Sequence, residues 1–329
     1  MVTGAASVDA QLDLSVLIAT RSRADSLERT LRSMEAADAG GAVRWELVVV
    51  DNGSADRTPA MLQAWSTRLP LRVLSVPESG QNRARNRALP DLRGAVTVLT
   101  DDDVCVAPDW LRQWKDGVGR WPRDAIFGGR IAPRFPEGCP AWVSGEDFPF
   151  RAACFAEFRP AQGEGPYPRT PFGPNFAVRT DLLRQHPFRE DLGPAAGSYA
   201  IGGETELTLR LKALGHRVIY LPGPCVEHVL AAENLSLEKL CQRGFNAGRG
   251  DEYRRAMRGD WSKIVMWLRA QVWVPAKIAA YALMHGVGRV LGAPAERCFA
   301  RLYRYHSARG RRHQLALMLL DHRVHGRDA

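Results

Sequence analysis

Residues 96–104 read VTVLTDDDV. A run of β-branched and aliphatic residues ends on three adjacent carboxylates, Asp101, Asp102 and Asp103. Neighbouring like charges disfavour one another's ionisation, so the cluster is costly unless a cation shares it. The apolar run is continuous rather than alternating, as expected of a strand covered on both faces in a parallel sheet. The end of such a strand opens on the crevice where open α/β sheets bind ligands.

The chain upstream repeats the pattern. LSVLIAT (14–20), WELVVVD (45–51) and LRVLSV (71–76) read as strands, like AVTVLT (95–100). Helical patterning falls between them, over residues 24–37, 59–67 and 82–89. Strands alternating with helices predict a parallel sheet with helices on both faces. Each strand is followed by polar residues: Thr20-Arg21-Ser22-Arg23, Asp51-Asn52-Gly53-Ser54, the stretch from Glu78 to Asn86, and the three aspartates. In a parallel sheet all four strand ends share one edge, so these groups are expected to meet.

Downstream the texture changes. Residues 133–174 hold nine of the chain's 21 Pro and the aromatics Phe135, Trp142, Phe148, Phe150, Phe155, Phe158, Tyr167 and Phe172. That is too apolar for a linker and too Pro-rich for regular structure, so an ordered, pocket-shaping loop is expected. A helix is expected over 204–214 with Gly215 ending it. A strand over 218–221 follows, and only helices beyond Leu235.

With 329 residues, 45% hydrophobic and 25% charged, the composition is that of a soluble globular chain. The net charge of +9 asks for an anionic partner. From Arg289 onward nine Arg stand against Glu296, Asp321 and Asp328, so most of the excess sits in the C-terminal region. That distribution, with a triple Asp in the crevice, argues against nucleic acid. The six Cys show no CxxC or zinc-like spacing, which fits a reduced, cytoplasmic protein. The N-terminus has neither the basic nor the apolar part of a secretory signal. Residues 261–291 are rich in Trp, Val, Ile, Ala and Met. Lys263, Arg269, Lys277, Arg289 and Pro275 interrupt them, so no window reaches the ~18–20 apolar residues of a spanning helix. Two readings stay open: a helix packed on the rest of the protein, or an interfacial element with the basic tail against acidic lipid.

A carboxylate cluster suits a hard divalent cation. Mg and Mn are readily held by one or two carboxylates plus substrate phosphates. The succession VLIATRSR, VVVDNGSADRT, SGQNRARNRAL, VTVLTDDDVCVAPDWL, GPNFAVRTDLL and GGETELTLRLKALGHRV resembles the family 2 glycosyltransferases over residues 13–230. The resemblance implies an α/β GT-A fold, Rossmann-like and mostly parallel, with flanking helices and a C-terminal helical extension. Residues 1–230 would form the catalytic domain, with a nucleotide-binding half at 13–105 and an acceptor half at 106–230. Residues 231–329 would form the basic helical region. The implied activity is inverting, Mn- or Mg-dependent transfer of one sugar, of hexosyltransferase type, from a nucleotide-sugar donor to an acceptor hydroxyl.

The resemblance also implies roles. Asp51 matches the contact to the nucleotide base, and a carboxylate can accept the N–H of a uracil- or thymine-like ring, so UDP or dTDP donors are expected. Thr20 and Arg23 would lie beside the same base, and Arg85 would contact the nucleotide. Asp101 to Asp103 match the DxD-like element. Asp103 would ligate the metal, and Asp101 or Asp102 would hold ribose hydroxyls or metal-bound waters, with Asp101 a further ligand candidate. Glu204 stands where the family commonly has a catalytic Asp, with Gly203 replacing the usual Glu, and Glu206 is the second candidate base. His228 would complete the metal site or line the acceptor pocket, although a lone His is more often structural. Asn175 and Trp142 fall on the acceptor side. Trp110 is expected to pack below the metal loop.

A nucleotidyltransferase is the enzymatic alternative, but ATRSRADS lacks the glycines of its phosphate loop. A polysaccharide synthase would bring a QxxRW element and spanning helices, and neither is present in the sequence. The basic, Trp-rich C-terminal region points to a lipid-linked acceptor at the inner face of a membrane. A natural-product aglycone or a peptide is the alternative acceptor.

Overall fold

The computed structural model describes residues 12–38, 41–193, 202–257 and 263–320. Trp261 and the tail beyond Leu320, with Arg323 and Arg327, lie outside the described residues. In chain order the elements are β1 (Leu12–Thr20), α1 (Ala24–Asp38), β2 (Trp45–Asp51), α2 (Thr58–Trp65), β3 (Leu71–Ser75), α3 (Gln81–Ala88), β4 (Gly94–Leu99), β5 (Val104–Val106), α4 (Trp110–Arg120), β6 (Ile126–Arg134), α5 (Ala141–Ser144), α6 (Arg151–Phe155), β7 (Gly165–Tyr167), β8 (Phe176–Arg179), α7 (Thr180–Gln185), α8 (Gly203–Ala213), β9 (Val218–Val229), α9 (Leu237–Met257), α10 (Lys263–Leu268), α11 (Val274–Val290) and α12 (Ala295–Leu320). A π-helical segment, Arg269–Trp273, joins α10 to α11.

Two compact units result. The first holds the described residues up to Arg130, Pro160–Phe188 and Leu207–Val226; the second holds Ile131–Arg159, Arg189–Glu206 and the described residues from Glu227 on. In the sheet the strand order is β3-β2-β1-β4-β8-β6-β9-β5, with β7 on β9. The apolar runs give β1 to β4, paired in parallel as expected. β8 is antiparallel to both β4 and β6, so the sheet is mixed. The residues Val16 to Ile18 and Leu47 to Val50 are fully buried, as continuous runs covered on both faces must be. One layer of the core joins Leu17, Val48, Val50 and Leu99 to Ala84 and Ala88 of α3 and to Leu207 and Leu211 of α8. Gly215 follows α8 with φ +95°, where a β-carbon would strain the turn.

Strand register sets the edge. Thr20 pairs with Asp51, and Asp51 with Ser75. Leu17 pairs with Leu99, so the same register carried three residues further brings Asp102 level with Thr20. Below that edge Asn175 is fully buried. Its Nδ2 donates to the carbonyls of Arg130 (2.8 Å) and Pro224 (2.9 Å), and its Oδ1 accepts from Trp110 Nε1 (3.0 Å). Trp110 is buried beside it, as the sequence suggested. Gly129 packs against this knot: a β-carbon there would stand 2.3 Å from Asn175 Nδ2.

In the second unit, Phe135, Trp142, Phe148, Phe150 and Phe155 pack with Phe299 and Tyr303 of α12. Phe148 stacks on Phe299 at 4.9 Å and Phe150 on Tyr303 at 4.4 Å. The Pro-rich stretch was expected to shape a pocket; in this unit its rings join a hydrophobic core, to which α12 contributes two aromatic partners. Helices α9 and α12 approach backbone to backbone. A β-carbon on Gly248 would meet Ser307 O at 2.0 Å, and one on Gly310 would meet Phe245 O at 1.9 Å.

Overpacking a full core costs on the order of 1–3 kcal/mol, so Gly129→Ala is expected to lower the thermal midpoint, whereas Gly119→Ala, with open space around it, is not. Equal midpoints for the two variants would contradict the packing described.

Candidate active site

The three aspartates are held by two guanidinium groups and a hydroxyl. Thr20 Oγ1 donates to Asp102 Oδ2 at 2.6 Å. Arg23 donates through one nitrogen to Asp102 Oδ1 (2.6 Å) and through the other to Asp103 Oδ2 (2.9 Å). Arg85, almost wholly buried, reaches Asp101 Oδ1 at 3.1 Å. Arg23 was expected beside the nucleotide base; its guanidinium lies on the carboxylates, because the loop after β1 faces the loop after β4 across adjacent strands.

Burial pushes the Asp102 carboxyl up to about 6; Asp103 and Asp101 push the same way, while Arg23 and the Thr20 hydroxyl oppose them. Asp102 is therefore the inward member of the trio, and Asp101 and Asp103 are its more exposed flanks.

Neighbouring loops are braced to one another. Asp51 Oδ1 accepts the Ser54 N–H at 3.0 Å, and Oδ2 has no partner among the described residues. Asn52 Nδ2 donates to the carbonyls of Val76 (2.8 Å) and Glu78 (2.7 Å), and its Oδ1 accepts the Gly80 N–H (3.0 Å). The Ser22 N–H donates to Ser54 Oγ (2.8 Å), and the Ala55 N–H donates to Ser22 Oγ (3.1 Å). Ser22 takes a left-handed conformation (φ 51°), and Arg21 reaches Ser79 Oγ at 3.0 Å. The sequence placed Arg21 and Ser22 among the strand-end groups expected to meet, but gave them no individual role. Their position directly after a buried strand was the available clue.

The remaining candidates belong to the second unit. Glu204 and Glu206 occupy the first turn of α8, both half-buried. Acids there are favoured by the helix dipole. Two residues apart, they point roughly 200° from one another, so only one can face a given site. His228 is buried, with Nδ1 2.8 Å from Phe155 O, so that nitrogen carries the proton. Trp142 packs tilted against Phe148 and Phe299. The structure thus gathers Thr20, Arg23, Asp51, Arg85 and Asp101 to Asp103 at one sheet edge. It puts Asn175 in the core of the same unit.

Among the described residues no group of three or more His, Cys, Asp or Glu is arranged to hold a metal ion by itself. The hard oxygens of Asp101 and Asp103 fit the other mode of divalent-cation binding, in which one or two carboxylates are completed by substrate phosphates and water.

Known proteins resemble this chain in sequence and in fold. The glycosyltransferase AglE of Haloferax volcanii is 24% identical over 209 residues, which are 63% of this chain and 64% of that protein. The succinoglycan biosynthesis protein ExoO of Rhizobium meliloti is 33% identical over 108 residues, 32% of this chain and 30% of that protein. The chain thus aligns with less than two thirds of the length of either relative. Among solved structures, the mannosyltransferase PcManGT from Pyrobaculum calidifontis in complex with GDP-Man and Mn2+ matches with a TM-score of 0.60 at 18% identity, covering 95% of this chain and 88% of that one. S. aureus TarS 1–349 in complex with UDP-GlcNAc matches at 0.50 and 16% identity, covering 91% and 92%. Identities this low speak for a shared GT-A fold alone. Residues 15–183, which include every strand-end loop described above, match the sequence model of glycosyl transferase family 2, and the chain belongs to that family.

Proposed function

We propose that this glycosyltransferase moves one sugar from a nucleotide-sugar donor to an acceptor hydroxyl with inversion, and that a divalent cation binds with the donor diphosphate. The observation that carries the reading is the carboxylate trio held by Thr20, Arg23 and Arg85 at aligned strand ends. Asp51 Oδ2 accepts an N–H of the nucleotide base. Asp103, with Asp101 beside it, takes the cation, and Asp102 keeps the loop in register through Thr20 and Arg23. When bound, the cation neutralises charge that develops on the departing nucleoside diphosphate. Arg23 and Arg85 relieve the repulsion among the carboxylates before any donor arrives.

In a single displacement the acceptor oxygen bonds to the anomeric carbon as that carbon's bond to the diphosphate oxygen breaks. The acceptor hydroxyl must lose its proton, and Glu204 is our assignment for the base that takes it, with Glu206 second. Asn175, held by three internal hydrogen bonds, and His228, whose Nδ1 is engaged by Phe155 O, are read as supports. Asp51 favours a pyrimidine donor, and the UDP-GlcNAc held by TarS supports it. GDP-Man in PcManGT makes guanosine the alternative to test. The cationic C-terminal region favours a lipid-linked saccharide acceptor at an anionic membrane surface, on the cytoplasmic side; the naming of ExoO for succinoglycan biosynthesis supports a role in polysaccharide assembly.

Ligands that bind only the native state raise its melting temperature by mass action. UDP, dTDP and GDP, each with and without Mn, are therefore compared on wild type and Asp103→Ala. A rise for one nucleotide, dependent on Mn and lost in the variant, is expected; no rise for any would overturn the donor site. Glu204→Gln is expected to lower kcat by roughly 10²- to 10⁴-fold while keeping the nucleotide shift, and Glu206→Gln much less. Substantial transfer by Glu204→Gln removes it as base. A carboxyl held above its unfolded value favours the folded state while protonated. For Asp102 that contribution is complete below about pH 4 and is lost as pH rises through about 6. The melting temperature of wild type relative to Asp102→Asn should accordingly fall from about pH 4 to about pH 7. A constant difference would mean that Asp102 is not held in this way.

A further inference from the structure

Helix α11 inverts the usual pattern of a surface helix, which turns its polar side to water. Its inner stripe, Val274, Ile278 and Tyr281, packs with Met266, Ala270, Ala308, Leu315 and Met318. His285 continues that stripe, with Nδ1 3.0 Å from Cys298 O. The outer stripe, spaced by three and four residues, is apolar as well. Trp273 is 48% exposed, Leu283 69%, Val287 47% and Val290 86%, and Trp267 and Leu291 extend the row at 53% and 77%. Ala276 and Ala280 fill the gaps. The exposed row follows α11 for about 25 Å at the rise of an α-helix. A contiguous apolar face of that size marks an interaction site.

Charge identifies the occupant. Residues 263–295 contain no Asp or Glu. Of their cations, Arg269 is paired with Glu252 at 3.0 Å, while Lys277 and Arg289 stand exposed on α11. A second copy of the chain in a two-fold contact would set this face against itself. Lys277 and Arg289 would then meet like charges, with no carboxylate of the segment to pair them. An anionic lipid surface satisfies both features: headgroup phosphates for the cations, and the acyl boundary for Leu283, Val287 and Val290. Tryptophan prefers that boundary as well. Among the described residues no helix is long and apolar enough to cross a membrane, so the helix lies along the surface.

We infer that α11 is a monotopic membrane-docking helix that inserts the row from Trp273 to Val290 into the headgroup–acyl boundary of an anionic bilayer. The proposal rests on the membrane-proximal reading of the acceptor, to which it adds the face and its orientation.

The test is flotation of the full chain with vesicles of phosphatidylcholine alone or mixed with phosphatidylglycerol, at low and high salt. Wild type is expected to float with the mixed vesicles, and less so at high salt. Leu283→Glu/Val287→Glu should weaken partitioning by more than about tenfold, with the melting temperature unchanged, because both side chains are already exposed. Lys277→Glu/Arg289→Glu should remove the salt-dependent part. Failure of wild type to float, or flotation unaltered by the first variant, overturns the proposal. So does a dimer, seen by light scattering without lipid, that the first variant converts to monomer, since the face would then belong to a second copy. The nucleotide-induced shift, measured on the same proteins, reports on the donor edge alone, so failure of the transferase reading is seen separately.

Discussion

Arg23 holds two carboxylates at once, and the carboxylate edge of the sheet depends on it. Three adjacent aspartates at the end of a buried strand repel one another, and one of them, Asp102, is inside the protein. Arg23 bridges Asp102 and Asp103, and Arg85 takes Asp101. The hydroxyl of Thr20 completes the arrangement from the neighbouring strand. A buried acid in such a set is stable only while its partners stay in place, so the loops that carry them must be stiff. The hydrogen bonds of Asn52, Ser22 and Ser54 supply that stiffness.

Parallel pairing is what brings these partners together. With Thr20 beside Asp51 and Asp51 beside Ser75, three loops leave the sheet at one level. A slip of one residue would turn each side chain to the other face and separate the hydroxyl from the carboxylate. The buried runs Val16 to Ile18 and Leu47 to Val50 oppose such a slip, so the core and the site are specified by the same residues.

That is also why so much of this half could be read from sequence. Long, unbroken apolar runs have one good interpretation, and the carboxylates stand directly after one of them. The second half resists the same treatment. β8 is four residues and β5 is three, too short for periodicity to distinguish strand from turn. The rings between Phe135 and Phe155 suggested a pocket wall; their partners Phe299 and Tyr303 lie far along the chain, and nothing local announces that contact. Asn175 was visible in GPNF, but its three internal hydrogen bonds come from segments that only the fold assembles. Arg23 was noticed as a donor-side residue, while its choice of the carboxylates follows from which strands are neighbours.

The glycines of α9 and α12 have a mechanical consequence. Gly248 lies on the backbone of Ser307, and Gly310 on that of Phe245, so the two contacts run in opposite directions along the pair. Each helix carries a notch where the other carries main chain. Sliding one helix by a turn would put a β-carbon where there is room only for hydrogen. The pair therefore behaves as a detent with a single seating, and α11, packed on α12, is carried by a mount that cannot creep.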